Sequence, residues 1–141
     1  MPKAPAEPPT SHATSRAPPA ARPPELTEAA QARLVRALAA GLAACGGAPP
    51  RHIETHISHV LLHSGHAYKI KKAIATSFLD QSTLALRRRA CAEELRLNRR
   101  LAPDLYLDAV AITGTPETPR FGGEGPVLDM AVRMRAFDEA G

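Results

Sequence analysis

The chain has 141 residues, 18 basic against 14 acidic side chains, a net charge of +4 and 44% hydrophobic residues. This is one domain's worth of sequence or less. The positive charge says little about nucleic acid, because the first 24 residues hold half of it and the rest is nearly balanced. Only two Tyr and three Phe are present, too few for a base-stacking platform.

The first 24 residues carry eight of the fourteen prolines and almost no large apolar side chain. Such a stretch cannot bury enough surface to offset its ordering entropy, so residues 1–25 read as a disordered Pro/Ala-rich tail. Residues 26–141 are the part expected to fold. Thr27 before Glu28 is a helix start, with a carboxylate in the first turn. Leu34, Leu38 and Leu42 recur every four residues, and Val35 and Cys45 widen the stripe into an amphipathic helix. Gly46-Gly47 ends it and Pro49-Pro50 prevents it resuming. The longest apolar stretch, Ala37 to Cys45, is short and broken by Gly41, so no membrane span is expected. With no signal-peptide pattern either, the expected compartment is the cytoplasm. Cys45 and Cys91 lack CxxC spacing and read as free, mostly buried thiols.

Between Arg51 and Lys72 two patterns compete. His52, His56, His59, His63 and His66 are spaced 4, 3, 4, 3 and on a helix would form an imidazole stripe suited to a transition metal. The β-branched Ile53, Thr55, Ile57 and Val60, and Ser64-Gly65 in the middle, favour strands instead. Ile53 to Leu62 then pairs with Ala67 to Lys72 through a turn at His63-Ser64-Gly65-His66. The histidines fall on both faces and at the turn. Tyr68 and Ile70 point one way, Lys69 and Lys71 the other.

Ala73 to Leu79 reads as a link, and Asp80 or Ser82 as the cap of a helix running from Leu84 to Leu101, before Pro103. Leu86, Ala90, Leu97 and Leu101 form its apolar row, and Glu94 falls within that row. Glu93 instead lies beside Arg89, Arg96 and Arg100 on a solvated ion-pair face. Glu94 enters the apolar side, where a carboxylate needs a cationic partner. Arg87, Arg88, Arg89, Arg99 and Arg100 spread over more than one face and read as solvated, not as a nucleic-acid surface. Leu105 to Thr113 is a strand, Gly114 to Pro126 a hairpin loop and Val127 to Met134 the returning strand. Arg133, Arg135 and Phe137 lead to an abrupt stop at Gly141, which reads as a cut end.

This order suits an α+β fold, an antiparallel sheet with a packed helix, preceded by the amphipathic helix. In nucleotide-dependent kinases a strand lysine contacts the phosphates and a helix glutamate fixes the lysine. Ala67-x-Lys69 matches the strand pattern, with the small residue over the base, and Lys71 on the same face is a second candidate. Lysines guarding a solvated sheet edge are the plain alternative, but the placement of Glu94 favours the lysine–glutamate pair.

Several blocks together resemble one bacterial family. They are Ile53-Glu54-Thr55-His56-Ile57-Ser58, Tyr68-Lys69-Ile70-Lys71-Lys72, Phe78-Leu79-Asp80 and the run from Glu94 to Leu107. The chain resembles, over about residues 26–141, the start of aminoglycoside-phosphotransferase-like enzymes, often fused to a C-terminal P-loop (AAA-type) ATP-binding kinase domain. The resemblance implies a protein-kinase-like small lobe, with ATP and Mg as cofactors and phosphoryl transfer to a small-molecule acceptor. By position it implies that Lys69, Glu94, Ala67 and Lys71 bind the cofactor, and that the strand Val127 to Met134 and the segment after it contact adenine.

The chain departs from that pattern in having no GxGxxG between the first two strands, and no GxxxxGK[ST]. The segment with the catalytic aspartate and metal-binding asparagine, and the later metal-binding aspartate, are also absent. No catalytic residue and no metal ligand is therefore assigned here. The expected role is an N-terminal fragment, inactive alone, whose missing C-terminal lobe or partner chain supplies the metal ligands. The alternative is a non-enzymatic metal-binding or regulatory module using the His52–His66 run.

Overall fold

Thr27 opens the first helix as expected: its hydroxyl accepts from the Ala30 amide at 3.0 Å, and α1 spans Glu28–Ala44. The structure is a computed structural model that describes residues 25–136. The tail reading and Phe137 therefore fall outside the described residues, Glu25 apart. Leu34, Val35 and Leu38 are the buried stripe of α1, and Cys45 caps its end as an exposed free thiol, not the buried one expected.

The expected single strand over Ile53 to Leu62 is two. β1 (Arg51–Glu54) and β2 (Ser58–His63) pair antiparallel around a tight reversal at residues 55–57. Local hydrogen bonding causes the break. The Thr55 hydroxyl accepts from the Ile57 and Ser58 amides, and the Thr55 amide donates to the Ser58 carbonyl at 2.9 Å. A threonine that caps its own turn in this way overrides β-propensity. β3 (His66–Lys71) then follows through the anticipated turn, where Ser64 and Gly65 both take positive φ, as a two-residue hairpin requires.

α2 runs Leu84–Leu101, but its cap is Thr83, whose hydroxyl accepts from the Leu86 amide, and not Asp80 or Ser82. Asp80 turns its carboxylate onto Ser82 instead. β4 (Tyr106–Gly114), a short β5 (Pro119–Phe121) inside the expected hairpin loop, and β6 (Asp129–Arg135) complete the chain. Gly114 is obligatory: its φ is +93°, and an added Cβ would lie 2.5 Å from the Thr118 carbonyl oxygen.

The six strands form one antiparallel sheet in the order β1-β2-β3-β6-β4-β5. Each face carries a helix. Leu34, Val35 and Leu38 of α1 pack on Leu61, Ile70, Ile112 and Ala131. Because α1 touches both β2 and the far strand β5, the sheet curls around it. Cys91 and Leu95 of α2 pack on Val132, with Met130 and Met134 beside them. Strand alternation divides the two cores: Tyr68, Ile70 and Ala131 face α1, while Ala67, Lys69, Lys71 and Val132 face α2.

The buried row of α2 is Arg87, Cys91 and Leu95, not the row anticipated from the leucines; Leu97 and Leu101 are exposed. The rotation follows from Arg87, which an ion pair draws fully inside.

Candidate functional site

β3 and α2 bring Lys69, Lys71 and Glu94 together. Lys69 Nζ donates to Glu94 Oε2 at 3.0 Å and Lys71 Nζ to Glu94 Oε1 at 2.5 Å. The two lysines are i and i+2 on a strand and so share a face. Glu94 is flanked on its helix by buried Leu95 and looks onto that face, with its side chain only 12% exposed. Burial pushes its carboxyl up, but hydrogen bonds from Lys71 and Lys69 outweigh that and hold it below the usual range. Glu93, one residue earlier, is exposed and pairs with Arg96, the solvated fate its position indicated.

The cluster holds two ammonium groups and one carboxylate, so a positive charge is left over. Lys71 is the more enclosed, with 11% of its side chain exposed against 31% for Lys69. Lys69 is therefore the more accessible of the two cations, both of which are bonded to Glu94. Ala67 is buried on the same face, opposite Met134.

A second polar cluster fixes the frame of this site, and the sequence reading missed it. Asp129, at the start of β6, accepts from Arg87 Nε at 2.9 Å, Gln31 Nε2 at 2.7 Å and the Met130 amide at 2.9 Å. All three side chains are fully buried. Gln31 also donates to the Lys71 carbonyl and accepts from the Ala73 amide, both at 2.8 Å, so it pins the backbone of Lys71 itself. Burial raises the Asp129 carboxyl, against the opposing pull of Arg87 and Gln31. Cys91 lies between the two clusters, and burial pushes its thiol up to about 11, which leaves it unreactive. Arg87 is thus no part of an exposed arginine set, which corrects the reading of all five arginines as solvated.

One signal for the buried cluster was present. Gln31 sits three residues before Leu34 on the apolar stripe of α1, the same anomaly that singled out Glu94. Arg87 differs from Arg88 and Arg89 in lying four and eight residues before the apolar Cys91 and Leu95, a spacing that the leucines at 86, 97 and 101 mask.

His63 and His66 flank the Ser64-Gly65 turn as the strand reading held, but His52 and His59 come together, which it did not anticipate. Because β1 and β2 pair with each other, Glu54 lies opposite His59 and His52 opposite Leu61, all on the α1 face. His52 Nε2 and His59 Nδ1 are 3.0 Å apart, and Glu54 joins them. His56 lies in the turn, outside this group. That turn joins β1 and β2. It contains no glycine, and its Ile57 and Ser58 amides are already bonded to the Thr55 hydroxyl.

No protein-family profile and no solved structure matches the chain. It is similar to uncharacterized proteins of Mycobacterium tuberculosis and Mycobacterium bovis, each 39% identical over 77 residues. The match covers 55% of this chain and 15% of each relative, so the chain spans only a small part of their length. No helix among the described residues is long and apolar enough to cross a membrane.

Proposed function

We propose that this chain is the phosphate-holding, N-terminal lobe of an ATP-dependent small-molecule phosphotransferase of protein-kinase-like fold. The observation that carries the reading is the convergence of Lys69 and Lys71 on Glu94, with one positive charge in surplus. The division of the first expected strand adds support. It makes β3, bearing Lys69, the third strand, with the glutamate helix directly after it, the relation found in protein kinases. The strand order and the placement of α1 on the opposite face, which leaves Ala67, Lys69 and Lys71 to the α2 side, agree with it.

In this reading Lys69 turns from Glu94 to the phosphates of ATP, and Lys71 remains on the carboxylate and keeps it in place. Phosphate is held by lysine charge, since the amides of the turn at residues 55–57 are engaged internally. A further lobe would supply the catalytic base and the Mg ligands.

The test is a calorimetric titration of the chain with Mg·ATP at up to millimolar concentration. Saturable binding is expected, weakened roughly tenfold or more in Lys69→Met, as for loss of a charge-assisted phosphate contact, and retained in Arg88→Ala. Equal affinity in wild type and Lys69→Met would contradict the reading.

A further inference from the structure

We propose that His52, Glu54 and His59 form a binding site for a divalent transition metal of the Zn2+ class, which staples the edge strand β1 to β2. One ligand atom from each residue lies within 4.8 Å of the others. The two imidazole nitrogens, at 3.0 Å, are already close to the roughly 3.3 Å that separates neighbouring ligands about a tetrahedral Zn2+ with Zn–N near 2.0 Å. Two imidazoles and a carboxylate are a donor set that suits Zn2+ and its neighbours, with water completing the shell.

Each member is disposed for the task. His59 is 1% exposed and directs Nδ1 at His52, while its outer Nε2, which has no hydrogen-bond partner among the described residues, is not the ligand atom. Its one polar contact is the nitrogen of His52. A dication takes the place of this contact when each ring turns a lone pair inward and carries its N–H on the outer nitrogen, His52 Nδ1 and His59 Nε2. Glu54 is exposed and reaches the cluster with one oxygen, while Lys72 Nζ holds the carboxylate at 2.7 Å. Lys72 is the competitor, and a metal must draw Glu54 away from it.

The fold supplies a reason for such a staple. All four residues of β1 are exposed and the strand lies at the sheet edge, so little apolar burial holds it. A metal here is independent of the phosphotransferase reading, because the cluster faces α1 and the lysines face α2.

The experiment is a titration of the untagged, chelator-washed chain with Zn2+, read by calorimetry, with Co2+ visible absorption as a second probe. The expected result is one equivalent bound with a dissociation constant at or below about 10 µM, and a tetrahedral Co2+ spectrum. His52→Gln and Glu54→Gln, both at exposed positions that spare the fold, each weaken binding by about tenfold or more. His56→Gln, outside the cluster, leaves it unchanged, and Lys72→Met tightens it. No saturable binding below about 1 mM Zn2+, far weaker than sites of this donor set, would overturn the proposal. Equal losses in His52→Gln and His56→Gln would do the same.

Discussion

Two charged clusters sit about two turns apart on α2, and they are built on opposite plans. Around Arg87 the charges balance: one guanidinium, one carboxylate and one amide, all fully buried and joining α1, α2 and β6. Around Glu94 they do not balance. Two ammonium groups share one carboxylate, and one of them is nearly a third exposed. A buried, charge-balanced cluster serves the fold, since a buried charge left unpaired costs several kcal/mol. A cluster with a spare cation at an accessible face is able to receive an anion. The first cluster thus fixes the sheet, and the second is the one the proposed function assigns to phosphate.

Substitutions should separate the two. Arg87→Met strands Asp129 in the core and should cost about 3–5 kcal/mol of unfolding free energy, as for a broken buried pair, measured by urea titration. Glu94→Gln leaves two lysines without their carboxylate and should cost less, about 1–2 kcal/mol. It should also alter the acid limb of stability. The Glu94 carboxyl is held below its ordinary value of 4.5. Its stabilisation is therefore present above that pH and lost as pH falls through the lower folded value. Glu94→Gln should flatten that loss, seen in melting temperatures taken below pH 5. Lys69→Met should change stability by no more than about 1 kcal/mol, given its exposure, while weakening ATP binding. Glu93→Gln should change neither. A large stability loss in Lys69→Met, or a small one in Arg87→Met, would break the distinction.

The sequence made some of this legible and concealed the rest for physical reasons. Both helix spans followed from periodicity and helix breakers, although the cap of α2 was misplaced. The need of Glu94 for a cation followed from its place on an apolar row, and Lys69 as that cation followed from the lysine–glutamate pattern of kinases. The position of Glu94 was read correctly although the leucine row was not; Leu97 and Leu101 face water because Arg87 takes the inner face. That choice depends on Asp129, 42 residues away, a long-range pairing that local periodicity does not contain. The reversal at residues 55–57 was hidden because Ile53, Thr55 and Ile57 look like a strand, while one hydroxyl decides the turn. The same reversal gathers His52, Glu54 and His59, so missing the turn meant missing the cluster.

The most direct measurement treats the chain with an acyl-phosphate derivative of ATP and maps acylated lysines by mass spectrometry, with and without excess Mg·ATP. Such a reagent transfers its acyl group to an amine lying beside the bound phosphates. Acylation concentrated on Lys69, or on Lys69 and Lys71, and suppressed by ATP is the result expected if the unbalanced cluster holds nucleotide phosphate. Labelling of these lysines that ATP does not suppress, or ATP protection confined to Lys3 or Lys72, the other two lysines of the chain, would contradict it and leave the Glu94 cluster a structural ion pair.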